Sequence, residues 1–365
     1  MQVNLAYLLN RPTGTTQYAL NLLPYLDALS PKYLATPACK LPAHRYQAVP
    51  TNMTAAQGTA GHLRRLAWTQ FQLPRLCRSQ APKSSPLLFS PIPEAPLFSK
   101  VRSVVMFHDL IPLRFPQFFG AIKLFYKHYV PPVLHQAEQI ICNSEATARD
   151  IVDFYRIPAQ KIVSIPLAYD ASHFRPTAAK PSSSHSNAAQ RPYFLMLGRQ
   201  APYKNLGSAI EALASVKPDC QLLIAGPTDE RYTPQLKAQA QALNLESRVQ
   251  FLDYVSYEQL PSLLAHARAL VFPSLWEGFG LPVLEAMACG TPVICSNVSS
   301  LPEVAGEAAL LVDPYSVSAI ACAMNQLLTD TSTYQQLQTA GLQRVQQFSW
   351  EKTGLATVEV LRPYL

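Results

Sequence analysis

Two glutamates eight positions apart, Glu277 and Glu285, are the residues of this sequence best suited to chemistry. They frame the stretch Trp276-Glu-Gly-Phe-Gly-Leu-Pro-Val-Leu-Glu285. Its two glycines allow a turn whose backbone amides point outward, and Pro282 suits the first turn of a helix. Unpaired amides and the helix dipole favour a phosphate there, while carboxylates accept hydrogen bonds from paired hydroxyl groups. The pattern suits a ligand with phosphates in the middle and a sugar at each end.

A plainer interpretation of the two glutamates stays open. Glu277 alone is compatible with an ordinary surface position, and Glu285 with a helix-start carboxylate that the helix dipole favours. The occurrence of both in one glycine-containing turn is harder to explain in this way.

Two cations follow another predicted strand. Gly198-Arg199 comes directly after the apolar run Tyr193–Leu197, and Lys204 follows five residues after Arg199, just before a predicted helix. Arginine offers a planar fork and lysine a point charge, so together they can clamp a diphosphate and stabilise it as a leaving group. Solvated loop charges are the alternative.

Two residues of the first half also follow predicted strands. His108 ends the apolar run Ser103–Phe107, where an imidazole can hydrogen-bond a substrate hydroxyl; a purely structural histidine is the alternative. Gly14 lies between the first predicted strand and the first predicted helix, so its backbone can approach a phosphate or a reacting sugar. Many such turns need a glycine for conformation alone.

Several motifs are absent from the sequence. It has no G-x-G-x-x-G, no G-x-x-x-x-G-K-[ST], no G-x-S-x-G, no Asp-x-Asp and no His/Cys cluster with metal-ligand spacing. Dinucleotide dehydrogenases, P-loop ATPases and serine hydrolases therefore have no support. We expect the diphosphate charge to be handled without a dedicated metal ion.

Composition indicates a globular protein with an anionic partner. The 365 residues are 48% hydrophobic and 15% charged, enough for two domains with their own cores. The net charge of +7 favours a nucleotide, a phospholipid surface or nucleic acid without choosing among them. Seven cysteines without a C-x-x-C pair, no signal peptide and no apolar run of membrane-spanning length predict reduced thiols and a cytoplasmic location.

Short apolar strands alternate with amphipathic helices on both sides of a segment rich in proline and serine. This alternation predicts an α/β protein with two Rossmann-like domains, whose parallel sheets face each other across a cleft. We place the first domain at 1–173 plus 350–365, a linker at 174–192 and the second domain at 193–349. The strands of the second domain are expected at 193–197, 221–225, 248–252, 269–272, 292–295 and 309–312.

Taken together, these segments resemble the retaining glycosyltransferases of family 4, which have the GT-B architecture. The resemblance runs along nearly the whole chain and includes Ala286-Met-Ala-Cys-Gly-Thr-Pro-Val293 and Leu301-Pro-Glu-Val-Ala-Gly306. The stretch Phe107-His-Asp-Leu-Ile-Pro-Leu-Arg-Phe-Pro116 is most similar to bacterial mannosyltransferases of polysaccharide assembly.

The resemblance implies a role for each candidate residue. Arg199 and Lys204 would bind the donor diphosphate, and Glu285 would accept the ribose hydroxyls. Glu277 would hold the donor sugar, and His108 would contact it. The other implied donor-site residues are the backbone positions Gly14 and Gly198 near the diphosphate, Gly226 and Val255 near the nucleobase, and Phe279, Gly280 and Leu281 near the phosphate and sugar.

The resemblance also implies the reaction, the transfer of a hexose with retention of anomeric configuration. We expect a same-face substitution in which the departing phosphate oxygen takes the acceptor proton. GDP-mannose is the first expectation for the donor and UDP-glucose the second. The acceptor would be a glycan or a lipid-linked molecule, with no cofactor, no metal and no nucleic acid involved. A nucleotide-sugar epimerase, a sugar phosphorylase and a non-catalytic binding protein remain alternatives.

Two segments combine aromatic and basic residues, 62–68 and 114–129. They suit a peripheral contact at the inner face of the cell membrane, which fits a lipid-linked acceptor. Helices with a solvated basic face explain them equally well.

Overall fold

The computed structural model describes residues 1–8, 13–36, 46–80, 86–177, 191–217 and 219–365. These residues form two compact units. The first consists of Met1–Leu167 and Ser349–Leu365, and the second of Ala168–Phe348. Residues 178–190 of the predicted linker lie outside the described part of the chain.

The first unit is built on a parallel sheet of seven strands in the order β3-β2-β1-β4-β5-β6-β7. Consecutive strands are joined mostly by helices, as parallel pairing requires. The strands are β1 (Gln2–Leu5), β2 (Lys32–Ala35), β3 (Tyr46–Ala48), β4 (Leu87–Ser90), β5 (Arg102–Phe107), β6 (Gln139–Cys142) and β7 (Ile162–Ser164).

The second unit is built on a parallel sheet of six strands in the order β10-β9-β8-β11-β12-β13. In both sheets the strand order reverses direction once, beside β1 and β4 in the first and beside β8 and β11 in the second. Ligands of open parallel sheets bind outside the carboxyl ends of the strands at such a reversal. The strands are β8 (Tyr193–Leu197), β9 (Gln221–Ala225), β10 (Val249–Leu252), β11 (Ala269–Phe272), β12 (Val293–Ser296) and β13 (Leu310–Val312).

Helices connect the strands of each unit. In the first unit they are α1 (Gly14–Leu26), α2 (Gly58–Phe71), α3 (Leu73–Gln80), α4 (Ile111–Arg114), α5 (Ile122–Leu124), α6 (Val130–Gln136), α7 (Glu145–Tyr155) and the C-terminal α15 (Trp350–Leu361). In the second they are α8 (Leu206–Leu213), α9 (Thr233–Ala242), α10 (Leu260–Ala265), α11 (Leu281–Ala288), α12 (Leu301–Ala305), α13 (Val317–Thr329) and α14 (Thr331–Arg344).

The sheets are apolar on both faces because helices cover both sides. Every residue of β8, β9, β11 and β12 is buried. This explains why the strands are continuous apolar runs in the sequence rather than alternating patterns.

The C-terminal helix α15 packs against α1 within the first unit. Ser349 caps α15 by accepting the amide hydrogen of Lys352 at 3.2 Å. A Cβ atom on Gly354 would lie 2.2 Å from the ring of Tyr25, so a glycine allows the two helices to approach closely.

The contacts of residues 168–173, assigned from the sequence to the first domain, place them in the second unit. The ring of His173 stacks on Tyr257 with 3.9 Å between centroids, and its Nε2 lies 2.7 Å from the Tyr257 carbonyl oxygen. The Tyr257 hydroxyl donates to Asp170 at 3.3 Å. These contacts tie the segment to the loop that follows β10.

Candidate active site

Two glycines bring the ends of β8 and β9 together in the second unit. Gly198 has φ +130° and Gly226 has φ +144°, values that favour glycine. The Gly198 amide donates to the Ala225 carbonyl at 3.0 Å, and a Cβ on Gly226 would lie 2.0 Å from the Gly198 carbonyl oxygen. The backbone at the carboxyl end of β8 therefore depends on the absence of both side chains.

Lys204 occupies the space beside Gly198. A Cβ on Gly198 would lie 3.6 Å from the Lys204 Nζ, so the lysine side chain runs along this glycine. The same ammonium lies 4.9 Å from the centre of the Phe272 ring at the end of β11. Lys204 thus carries its charge to the point where the strand order reverses.

The ammonium of Lys204 is paired with the carboxylate of Glu277. The Nζ atom donates to Glu277 Oε1 at 2.6 Å, and the two side chains are only 15% and 10% exposed. The structure therefore brings together two residues that the sequence placed 73 positions apart. Burying such a pair costs desolvation energy, so the pair is weak evidence for a gain in stability.

The turn before α11 presents backbone amides without acceptors. Gly280 has φ +107°, and a Cβ there would lie 2.6 Å from Leu301. Ser300 fixes the turn because its hydroxyl donates to the carbonyls of Glu277 and Phe279, at 3.1 and 2.8 Å.

Among the described residues, the amides of Phe279, Gly280 and Leu281 have no hydrogen-bond acceptor. These are the three amides that the sequence implicates in phosphate binding. They precede or begin a helix of eight residues, so the helix dipole adds to their attraction for an anion.

Glu285 lies one turn into α11 and is half-buried. Its carboxyl makes no hydrogen bond to another described residue. Burial raises the pKa of this carboxyl to about 7, and the nearby charge contributes to a raised pKa of Tyr257. An unpaired carboxylate of this kind is suited to accept hydrogen bonds from the hydroxyls of a ligand.

Arg199 differs from Lys204 in its surroundings. Its side chain is 66% exposed, and its Nε lies 3.9 Å from Asp229 Oδ2. Asp229 is held by Arg231, whose Nη2 donates to it at 2.9 Å, and this contact lowers the pKa of the Asp229 carboxyl. Arg199 is therefore an exposed cation, whereas Lys204 is largely buried and paired.

Asp229 and Arg231 were missed by the sequence interpretation. Both follow β9 in the segment Pro227-Thr-Asp-Glu-Arg231, at the same edge of the sheet as Gly198. Their position directly after an apolar run was the available signal. Val255, expected near the nucleobase, is half-buried in the loop after β10.

His108 and Gly14 belong to the first unit. The Nε2 of His108 lies 2.9 Å from the Pro91 carbonyl oxygen, so this nitrogen carries the hydrogen. Burial lowers the pKa of His108 to about 4, which leaves a neutral ring whose Nδ1 can accept a hydrogen bond. Gly14 is the first residue of α1, and Thr13 caps the helix by accepting the Thr16 amide hydrogen at 3.2 Å.

The two segments considered for a membrane contact each use a basic residue inside the first unit. In 62–68, Arg65 and Trp68 are buried and Arg65 pairs with Glu94, which favours the alternative of a core helix there. Arg114 pairs with Asp150, a contact that uses its charge inside the first unit. Lys123 and Lys127 remain exposed.

No helix in the described part of the chain is long and apolar enough to cross a membrane. Among these same residues, no group of three or more His, Cys, Asp or Glu side chains is placed to hold a metal ion.

Two family models match the chain. "Glycosyltransferase Family 4" matches residues 12–173, and "Glycosyl transferases group 1" matches residues 180–344.

Curated relatives include mannosyltransferases. The O-antigen chain mannosyltransferase B of Escherichia coli is 33% identical over 273 residues, which cover 72% of this chain and 70% of that protein. The serotype-specific mannosyltransferase WbdA of the same species is 27% identical over 274 residues, covering 71% of this chain but only 33% of that longer protein.

Solved structures share the fold. HepE from Anabaena in complex with UDP-glucose matches with a TM-score of 0.79 at 19% identity, with 100% of each chain covered. Sucrose-phosphate synthase from Thermosynechococcus elongatus matches with a TM-score of 0.78 at 22% identity, covering 100% of this chain and 98% of the other. The predicted fold class, two Rossmann-like parallel-sheet domains of the GT-B type, is confirmed. The chain belongs to glycosyltransferase family 4.

Proposed function

We propose that the chain transfers mannose from GDP-mannose to a glycan or lipid-linked acceptor, with retention of anomeric configuration. The observation that carries this proposal is the Lys204–Glu277 pair beside the three free amides that precede and begin α11. The choice of mannose is supported by relatives that are named as mannosyltransferases.

In this proposal the donor diphosphate lies against the amides of Phe279, Gly280 and Leu281. Lys204 has three N–H donors, and one of them is directed to Glu277. The other two can donate hydrogen bonds to the phosphate oxygens as negative charge grows on the leaving group. Arg199, which is exposed, would swing from Asp229 to the diphosphate when the donor binds.

The two glutamates take different parts of the donor. Glu277 Oε2 has no hydrogen-bond partner among the described residues, so it can accept from a hydroxyl of the transferred sugar. Glu285 would accept from the ribose hydroxyls. His108 belongs to the first unit, and its neutral ring would accept a hydrogen bond from a sugar hydroxyl at Nδ1.

The proposed chemical step is a same-face substitution. The bond from the anomeric carbon to the phosphate oxygen breaks while a bond to the acceptor oxygen forms on the same face. The acceptor proton moves to the departing phosphate oxygen, so atoms and charge balance without a side-chain nucleophile. Trapping a covalent sugar adduct on the protein would contradict this step.

A UDP-glucose-dependent transfer is the second candidate. Support for it comes from HepE, which was solved in complex with UDP-glucose. A sequence identity of 19% supports a shared fold and does not identify the donor. Mannose remains our first choice because the relative at 33% identity is named as a mannosyltransferase.

The proposed acceptor is a growing polysaccharide or a lipid-linked precursor, met at the cytoplasmic face of a membrane. This choice of acceptor is based on relatives whose names refer to O-antigen chains. We also propose that no cofactor or metal ion is required, so transfer should proceed unchanged in EDTA.

Product analysis tests the proposal. The intact protein is incubated with GDP-mannose, UDP-glucose or other nucleotide sugars and with candidate acceptors, and nucleoside diphosphate release is recorded. Nuclear magnetic resonance of the product then reports the anomeric configuration. We expect acceptor-dependent GDP release and an α-linked product from the α-linked donor. A β-linked product excludes retention, and conversion of the donor sugar without transfer supports an epimerase.

A further inference from the structure

A cavity of about 830 Å³ lies wholly within the first unit. It is bounded by the start of α1, by α2, by the loop after β4 and by residues 121–129. This volume falls in the range of small-molecule sites. The donor residues of the second unit have no part in it.

One wall of the cavity is apolar. It is formed by Leu63, Leu66, Ile92, Leu124 and Phe125. Leu63 is 61% exposed and Leu124 is 53% exposed, so the apolar wall continues outward to solvent. Exposed apolar side chains that continue the wall of a cavity suit an apolar ligand.

The charged groups of the cavity are occupied by one another. Arg65 donates to both carboxylate oxygens of Glu94, at 2.7 and 2.8 Å, and to the Met53 carbonyl at 3.1 Å. Its Nη2 also lies 2.8 Å from His62 Nδ1. Sugars are bound through free carboxylates and amides, and Glu94 is not free. The cavity therefore presents its apolar wall, rather than a charge, to a ligand.

A π-helical turn over Phe125–Tyr129 supplies part of the wall. Such turns are rare and are often found at functional sites. The turn is anchored by Tyr129, whose hydroxyl donates to the Ala95 carbonyl at 2.9 Å and accepts from Gln70 at 2.9 Å.

Exposed basic residues neighbour the cavity lining. Lys123 is adjacent in sequence to Leu124 and Lys127 to His128, two residues that line the cavity, and the sequence 121–129 contains no acidic residue. Arg64, exposed on α2 next to Leu63, adds a further cation. A ligand with an apolar chain and an anionic group at one end matches this distribution.

We propose that this cavity binds the apolar chain of a lipid phosphate-linked acceptor, with its phosphate beside Lys123 and Lys127. The inference rests on the proposed transfer reaction and names its acceptor class. Each CH₂ group of the chain that leaves water would add to the free energy of binding. The threonines at 13, 15 and 16, at the start of α1, line the same cavity. Their hydroxyls can form hydrogen bonds with polar groups of the acceptor other than the phosphate.

The test measures binding of dodecyl phosphate, below its micelle concentration, to the intact protein by titration calorimetry. Ethyl phosphate is the chain-free control. Leu124→Asp introduces a charge at the cavity wall, and Leu355→Asp is its matched control because Leu355 is also 53% exposed, on α15 and away from the cavity. Leu63→Asp is a second cavity variant. Melting temperatures verify that all variants fold.

We expect dodecyl phosphate to bind and ethyl phosphate to bind far more weakly. Leu124→Asp and Leu63→Asp should each weaken dodecyl phosphate binding by about tenfold or more, because the chain would be buried against a charge, and Leu355→Asp should leave it unchanged. No binding of dodecyl phosphate, or equal binding by all three variants, overturns the inference whatever the transfer activity.

Sedimentation with phosphatidylglycerol vesicles separates the cavity from a membrane surface. Vesicle binding that all variants share, without binding of monomeric dodecyl phosphate, overturns the inference in favour of a surface contact. Selective dodecyl phosphate binding without transfer from any nucleotide sugar supports the cavity and refutes the proposed reaction instead.

Discussion

In the described part of the chain, each unit buries a pair of a basic residue and a glutamate, and the two pairs differ in how many of their hydrogen-bonding groups are engaged. In Arg65–Glu94 both carboxylate oxygens are engaged, and the guanidinium also reaches a backbone carbonyl. In Lys204–Glu277 a single contact joins the groups beside two strand-end glycines. The hydrogen-bonding groups of the first pair are engaged within the protein. The second pair retains N–H donors on Lys204 and one carboxylate oxygen on Glu277 that can bind a ligand.

Burial of an ion pair does not by itself identify a functional site. Arg65 and Glu94 fix α2 to the loop after β4, and their hydrogen bonds are used within the fold. Lys204 and Glu277 lie where the strand order reverses and where three amides lack acceptors. The difference between the pairs predicts different consequences of mutation, from the largest effect to the smallest.

Arg65→Ala should have the largest effect, on stability. It leaves the buried Glu94 carboxylate without its cation, which typically costs about 3–5 kcal/mol of unfolding free energy. Urea denaturation measures the loss, and Arg64→Ala on the exposed side of α2 is the control. A loss of unfolding free energy below about 1 kcal/mol, as for a surface pair, would contradict the structural role of the Arg65–Glu94 pair.

Lys204→Ala should lower turnover by more than it weakens donor binding. Losing one stabiliser of transition-state charge typically lowers kcat by about two to three orders of magnitude. The control is Lys237→Ala, since Lys237 also lies over an aromatic ring, Phe251, but on exposed α9. Near-normal kcat in Lys204→Ala, with donor saturating, contradicts the assignment of this pair to the donor.

Glu285→Gln should weaken donor binding and stabilise the unliganded protein. The pKa of this carboxyl is raised by burial, so ionisation costs folding free energy as pH rises from the unfolded pKa near 4.5 to about 7. Removing the charge should therefore raise the melting temperature at pH 8 and not at pH 4. Glu211→Gln changes an exposed residue of α8 and should alter neither donor binding nor the melting temperature. A lower melting temperature at pH 8 would contradict the structural account of Glu285.

Donor affinity should depend on pH through the same carboxyl. Hydroxyl donors prefer the ionised carboxylate, so protonation below about pH 7 should weaken binding of the donor. The dissociation constant should rise about three- to tenfold between pH 8 and pH 6, as expected for one proton per site. Calorimetric titration at several pH values checks this, and a slope that persists in Glu285→Gln would assign the titration to another group.

Arg199→Ala should have the smallest effect. Its side chain is 66% exposed, so its contribution to the diphosphate is screened by solvent. We expect donor KM to rise about three- to tenfold with little change in kcat. This rise corresponds to a loss of roughly 1 kcal/mol in donor binding free energy. A loss of kcat as large as that of Lys204→Ala would show that Arg199 becomes buried in the working enzyme.

The second unit was predictable because its strands are continuous apolar runs ended by glycines. Tyr193–Leu197 and Ala269–Phe272 were predicted with the bounds that the structure gives them. The helix beginning at Leu281 followed from the glycine turn and from Pro282.

The first unit was less predictable between Ala35 and Pro86. The elements β2, β3 and α3 were not predicted because they are short or carry polar residues, and a helix over 62–68, which lies within α2, was one of two alternatives. Gln2 and Arg65 are examples of polar side chains that tertiary packing buries. Their partners lie far away in the chain, so local periodicity contains no signal for them.

The pairing of Lys204 with Glu277 could not be predicted from the sequence either. The two residues were assigned separately, and only the adjacency of β8 and β11 brings them together. The raised pKa of Glu285 likewise depends on burial that local sequence does not reveal.

Titration calorimetry of GDP-mannose into the intact protein and into Lys204→Ala, with UDP-glucose as the competing donor, shows whether Lys204 belongs to the donor site. We expect one site per chain, GDP-mannose bound more tightly than UDP-glucose, and binding weakened by about tenfold or more in Lys204→Ala. Equal GDP-mannose affinity in the two proteins, or tighter binding of UDP-glucose, would contradict this expectation.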